Sequence, residues 1–318
     1  MNKDKIIGSF VGLAVGDAIG TTLEFEGRDQ KEELKDMIGG GVFQLNPGQW
    51  TDDTSMALCL SKSLLEKGFD LKDQLEKYLL WRNQGYCSSN GKCFDIGMTV
   101  VEALSNYVRT GNELSGSTDE YSAGNGSIMR LAPVVIYYSA EENKDNPLFF
   151  NLLDKSKLSS RTTHQHPSAV DACALLAIIL NRGFYNTNKN NILNFTENML
   201  KEYHINDELV RKIALGSYKS KKRSEIKSSG YVIHSLEAAL WTFYNTDNFN
   251  DGVLLAANLA GDADTIAAIY GQIAGSFYGV SSIRKDWVRK ITDNKIIIKL
   301  ALQLYNKNHD TKVAYEFI

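Results

Sequence analysis

Residues 8–20 read GSFVGLAVGDAIG, and residues 266–279 read IAAIYGQIAGSFYG. Glycines fall at Gly8, Gly12, Gly16 and Gly20 in the first stretch and at Gly271, Gly275 and Gly279 in the second, always four apart. On an α-helix that spacing leaves a slowly drifting stripe without side chains, against which another helix can pack closely. We expect these two helices to cross at their bare faces, setting Asp17 and Glu24 near the acidic residues that open the second helix. The N-terminal stretch superficially resembles a signal peptide, with lysines before an apolar run. Its glycine spacing, the interrupting Asp17 and the missing A-x-A site favour a core helix of the mature protein. No run of roughly 18 uncharged apolar residues occurs, so no membrane span is expected.

The same helical periodicity extends outward from these two segments. Helices are expected near residues 4–20, 54–67, 71–83, 95–109, 131–139, 168–182 and 190–202. Further helices are expected near 206–216, 231–244, 249–260, 265–279, 284–292 and 295–306. Turn chemistry fills the connections, as in DMIGGGVFQLNPGQW, NQGYCSSNGKCF and SKKRSEIKSSG. The best strand candidate is the short VVIYY at 134–138. With no repeat of 20–50 residues and no long linker, one all-α domain over residues 1–318 is the expectation.

Composition fits a globular enzyme or binding domain: 43% of the residues are hydrophobic and 23% charged. A net charge of −3 offers no electrostatic case for a nucleic-acid partner. Cys59, Cys87, Cys93 and Cys173 form neither a CxxC pair nor a disulfide framework, so a reduced, cytoplasmic setting is expected. The asparagine-rich 186–194 reads as a surface turn entering a helix, and the basic run at 219–227 as a solvated loop.

Two acidic clusters carry the chemistry. GQWTDDTS contributes Thr51, Asp52 and Asp53; GDADT contributes Asp262, Asp264 and Thr265. Each stands at the start of an apolar helix, where Asp and Thr serve as N-caps and carboxylates are favoured by the macrodipole. One cap needs one side chain, however, and each cluster offers two carboxylates plus hydroxyls. So much like charge is unfavourable without a cation, and an oxygen-only ligand set points to Mg²⁺, Mn²⁺ or Ca²⁺ rather than zinc. YSAGNGSIMRLAP at 121–133 offers a glycine-rich turn that can be a plain turn or an anion cradle. Its Arg130 can add charge or pair with a surface carboxylate. In SSRTTHQHPSAVDA at 159–172, His164 and His166 precede Pro167 and lack a third nitrogen or sulfur ligand for zinc. Either can meet a phosphate or ribose, and His166 can equally cap a helix. DADT also fits the D-x-D-x-T pattern of haloacid dehalogenase phosphatases, but the strand that pattern requires is absent.

These motifs, in this order, resemble the ADP-ribosylglycohydrolase family, in particular its dinitrogenase reductase-activating branch. GLAVGDAIGTTLEF, GQWTDDTSMAL, CFDIGMT, GNGSIMRLAP, TTHQHPSAVDA, SGYVIHSLEAALW and AANLAGDADT spread the likeness over nearly the whole chain. The resemblance implies an all-α orthogonal bundle with a binuclear Mg²⁺ centre, sometimes Mn²⁺. Thr51, Asp52, Asp53, Asp262, Asp264 and Thr265 would be ligands, joined by Glu24, with Glu26 as its rival. Asn125, Gly126 and Ser127 would hold the diphosphate and His164 the ADP-ribose, while Tyr231 would lie near the terminal ribose and leaving group. Asp95 matches a proposed general acid–base, although on local grounds it could be an N-cap. Asp53 and Asp264 are the further candidates for proton traffic and water activation. The implied reaction removes ADP-ribose from a modified protein side chain. Arginine is favoured, with serine, other side chains and free ADP-ribosyl compounds left open. The alternative is an immunity or regulatory protein that neutralises an ADP-ribosylating toxin.

Overall fold

The computed structural model describes residues 2–143 and 145–315. Fifteen α-helices occur among them, beginning with α1 Lys3–Gly20, α2 Asp52–Lys67, α3 Leu71–Gln84, α4 Met98–Thr110 and α5 Ala132–Tyr138. Next come α6 Pro147–Arg161, α7 Pro167–Tyr185, α8 Lys189–Leu193, α9 Glu197–Glu202 and α10 Glu208–Ala214. The chain closes with α11 Val232–Asn245, α12 Phe249–Ala257, α13 Ala263–Tyr278, α14 Lys285–Lys290 and α15 Asn294–Tyr315. No sheet forms among the described residues, only isolated bridges, so the fold is an all-α bundle.

The pairing of α1 with α13 organises it. A β-carbon on Gly12 would strike the Gly271 carbonyl, and one on Gly271 would strike the Gly12 carbonyl. Gly8 meets Gly275 in the same way, Gly16 meets Ala267, and Gly20 meets Ala263. As one number rises the other falls, so the helices run antiparallel, backbone against backbone. The expected crossing is present and extends about two turns beyond the glycines of α13, using Ala267 and Ala263.

Two segments, Lys3–Leu23 and Pro167–Tyr185, are long and apolar enough to cross a membrane, with mean hydropathies of 1.6 and 1.3. Neither is an uncharged run, since Asp17 interrupts the first and Asp171 and Arg182 the second. Both are core helices here, 89% and 94% buried, because other helices cover them on every side.

The helix expected near 131–139 is α5, and it takes in VVIYY with Val134, Val135 and Ile136 buried in the core. Other local expectations change. The span expected at 190–202 divides into α8 and α9, where the Thr196 hydroxyl accepts the Met199 amide and starts a new helix. Helix α6 was not anticipated, although Asn146 caps it and Pro147 occupies its first turn. The basic run is mostly exposed, as expected, but two of its cations are paired: Lys221 meets both carboxylate oxygens of Glu237, and Arg223 meets Asp29.

Candidate active site

The acidic ends of α1, α2 and α13 converge on one point. Asp17, in the last turn of α1, is fully buried. One of its oxygens accepts the Thr51 amide (2.8 Å) and hydroxyl (2.9 Å); the other accepts the Thr54 amide (3.0 Å) and hydroxyl (2.6 Å). Asp17 therefore performs from another helix the capping that Asp52 and Asp53 would otherwise supply. The second cluster repeats the arrangement. Asp262, at the cap position of α13, makes no side-chain cap bond, and the Asp264 amide meets the Glu24 carboxylate at 3.3 Å. Only Asp264, which accepts the Thr265 amide at 2.7 Å, serves a helix start itself, so capping does not account for the acidic pairs.

Their oxygens gather instead. Asp17, Asp53 and Asp264 place one oxygen each within 4.8 Å of one another, as do Glu24, Asp262 and Asp264, and Asp52, Asp95 and Asp264. Asp264 belongs to all three groups. The Thr51 hydroxyl lies 3.1 Å from Asp264 and 3.4 Å from Asp53, and the Thr265 hydroxyl 3.3 Å from Asp53. One oxygen of Asp53 is buried with no hydrogen-bond partner, which for a carboxylate is costly unless a cation fills the gap.

Electrostatics agrees. Burial, then the Asp264 charge, pushes Asp17 and Asp262 up to about 7 and Asp95 up to about 11. The same two causes drive Glu24, Asp52 and Asp53 far above the usual carboxylate range. Without a cation the cluster must hold protons; with one it can ionise. Glu24 rather than Glu26 is the N-terminal acid: Glu24 is buried, whereas Glu26 is half-exposed and pairs with Lys31.

Asp95 is not an N-cap. Gly97 occupies the cap position of α4, and Asp95 sits two residues earlier with φ +58°. That left-handed conformation is uncommon for a residue with a β-carbon, and it turns the carboxyl towards Asp52 and Asp264.

These carboxylates line a cavity of about 350 Å³ together with Phe25, Met98, Asn125, Gly126 and His164. Thr51 and Asp53 stand behind its wall. Asn125 donates to Asp262 and, at 2.8 Å, to Ser235, joining the glycine-rich turn to the second cluster. Gln272 of α13 holds the same turn from below through the carbonyls of Ile128 and Met129 and the Ala132 amide. Ser127 points away: its hydroxyl is buried against Ser160 at 2.9 Å, and the residue is not part of the cavity lining. His164 is buried, hydrogen-bonded to Thr163 at 2.8 Å, and held near pKa 3 by burial and by Arg130, so it is neutral. His166 caps α7, accepting the Ser168 amide at 3.2 Å.

Arg130 neither faces a ligand nor pairs with a surface carboxylate. It is buried, donates to the Gly126 carbonyl (2.8 Å) and the Thr163 hydroxyl (2.6 Å), and lies over the Tyr78 ring. It thus braces the glycine turn and the His164 loop from inside. Tyr231 stands at the N-cap position of α11 without a side-chain cap bond and, with Thr99, Gly124 and Gly230, lines an adjoining cavity of about 690 Å³. Thr99, Gly124 and Gly230 also line the carboxylate cavity, so the two spaces meet there.

One residue carries no signal in the sequence. Arg28 donates to the carbonyls of Leu259 (3.0 Å), Arg223 (2.7 Å) and Ile226 (2.7 Å) and to the Ser228 hydroxyl (3.2 Å). Ser228 in turn accepts the Asp262 amide at 3.2 Å. A single guanidinium ties the Glu24 loop, the 223–230 loop and the approach to Asp262 together.

The chain's similarities point the same way. The family model described as ADP-ribosylglycohydrolase matches residues 1–313. A protein named ADP-ribosylarginine hydrolase Tri1 from Serratia proteamaculans is 46% identical over 95% of this chain and 79% of its own length. Its namesake from Pseudomonas putida is 43% identical over 96% and 78%. The ADP-ribosyl-[dinitrogen reductase] glycohydrolase of Rhodospirillum rubrum is 31% identical over 91% and 90%. A solved structure titled ADP-ribosylglycohydrolase-related protein complex superposes with a TM-score of 0.81 at 38% identity, covering 96% of this chain and 98% of that one.

Proposed function

The chain belongs to the ADP-ribosylglycohydrolase family, and from that premise we propose that it hydrolyses the bond between ADP-ribose and arginine side chains of modified proteins. The observation that carries the chemistry is the meeting of three carboxylate triads on Asp264 at the floor of a cavity. We assign two Mg²⁺ ions, with Mn²⁺ as a substitute, to Thr51, Asp52, Asp53, Asp262, Asp264, Thr265 and Glu24. The orphaned Asp53 oxygen and the all-oxygen donor set support that assignment. Bound there, Mg²⁺ would supply a template for the ribose diol and Lewis acidity.

The chain's own residues divide the remaining work. Asp95 lines the cavity beside Asp52 and Asp264, which places it to protonate the departing guanidine. The bond from ribose C1 to the arginine nitrogen breaks, a water oxygen bonds to C1, and the water proton passes to a carboxylate. Asp264, which lines the cavity, is the assigned acceptor, with Asp53 behind it as the next carboxylate to share the proton. Neutral His164 can hydrogen-bond a ribose or phosphate oxygen without adding charge, and Asn125 and Gly126 of the glycine-rich turn face the diphosphate, with Ser127 holding the turn from behind. Tyr231, in the adjoining cavity, lies against the ADP-ribose. The protein is taken to act as one domain.

Offering arginine-, serine- and cysteine-linked ADP-ribosyl proteins with and without Mg²⁺, and following ADP-ribose release, tests this directly. Release from the arginine linkage that stops with EDTA is expected. Release only from serine or cysteine, or undiminished release in EDTA, would overturn it.

A further inference from the structure

An apolar rim surrounds the cavity mouth, and the chemistry inside makes no use of it. Phe25 follows the buried Glu24, is 67% exposed and has φ +60°. Its amide donates to the Gly261 carbonyl at 2.7 Å, and the Gly261 amide donates back to the Glu26 carbonyl at 2.9 Å, fixing that conformation. Glycine or asparagine would take this backbone with less strain. A phenyl ring stands there instead, in solvent, against Phe43 at 6.4 Å between centroids. Phe43 meets Phe94 at 5.2 Å, beside Asp95. Val42 is 57% exposed next to Phe43, and Met98 is 80% exposed at the first position of α4. Phe25 and Met98 also line the carboxylate cavity, so rim and cavity form one continuous surface.

Clustered exposed apolar side chains beside a polar pocket mark an interaction surface. We propose that this rim docks the polypeptide bearing the ADP-ribosyl group, gripping apolar side chains that flank the modified residue. The inference rests on the proposed hydrolysis of ADP-ribosylated protein. Continuity with the cavity identifies the occupant: a modified side chain reaches the carboxylates only if its own backbone lies across the mouth. A small ADP-ribosyl compound enters the cavity without touching Val42, which lies outside it.

The test compares hydrolysis of an arginine-ADP-ribosylated protein with hydrolysis of free ADP-ribosyl-arginine by the full chain, the V42D variant and the F25S variant. For V42D, kcat/KM on the protein should fall by about tenfold through KM, while the small substrate is turned over unchanged. F25S should lose at least about tenfold more on the protein than on the small substrate. Equal losses on both substrates, or none on either, would overturn the proposal. So would concentration-dependent self-association of the wild type that V42D abolishes, which would assign the rim to a second copy. If the wild type cleaves neither substrate, the arginine reading fails by itself. The rim is then read from binding of the modified protein, which V42D should weaken about tenfold; undiminished binding would overturn it.

Discussion

The two ends of the α1–α13 pair solve opposite problems. Along most of their length the helices touch through glycine and alanine, with carbonyls where side chains would be. That contact is complete: it is dry, apolar and satisfied within the protein. At the end where Asp17, Glu24 and Asp264 meet, the same two helices concentrate buried like charge, leave an Asp53 oxygen without a partner, and raise several carboxyls far from their ordinary range. The close crossing imposes the acidic cluster, since no side chain intervenes to hold the backbones apart. One half of the pair is finished by folding; the other gathers carboxylate oxygens that could hold a metal ion.

The sharpest way to break this contrast is to fill the dry end. Gly12→Val puts a branched side chain onto the Gly271 carbonyl, with only backbone to yield, and should cost about 3 kcal/mol or more in urea unfolding. A neutral effect would mean the helices can separate without loss. At the charged end Asp264→Asn should act differently. It should reduce hydrolysis by about two orders of magnitude or more, while the metal-free protein unfolds at the same or a higher temperature because one like charge has gone. A large loss of metal-free stability would show the cluster to be structural.

Arg28→Ala probes how the ligand-dependent end is held. Losing the tie between the Glu24 loop and the Asp262 approach should weaken Mg²⁺ binding by about tenfold with helicity unchanged. Unchanged affinity would confine Arg28 to loop packing. His164 gives the smallest effect. Burial and Arg130 lower its pKa from 6.5 to about 3, so the unfolded chain takes up a proton that the folded one refuses. Stability attributable to His164 is therefore complete above about pH 6.5 and lost as pH falls towards 3. His164→Asn should flatten that part of the acid-side decline in a pH series of thermal unfolding.

Much of the favourable half was legible in the chain. Four-residue glycine spacing has few uses other than close helix contact, and paired acids beside hydroxyls at two helix starts exceed what capping requires. The all-α fold followed from periodicity, because most helices bury one face. What spacing could not convey was which group serves which. Asp17 looked like an interruption in an apolar helix, and its role as the cap of α2 depends on a partner far along the chain. Arg130 and Arg28 are ordinary surface residues by type; only their carbonyl and hydroxyl partners, supplied by loops distant in sequence, reveal internal braces. Asp95 resembled a cap because its left-handed backbone leaves no mark in composition.

The central claim is that the carboxylate end is incomplete without a hard divalent cation. Calorimetric titration of EDTA-stripped protein with Mg²⁺ and with Mn²⁺, repeated in buffers of different ionisation enthalpy, measures this most directly. The account predicts two ions bound per chain, with release of protons from the carboxyls that burial keeps protonated, and a rise in unfolding temperature. Absence of binding at millimolar concentrations, or binding that leaves protons and unfolding temperature untouched, would contradict it.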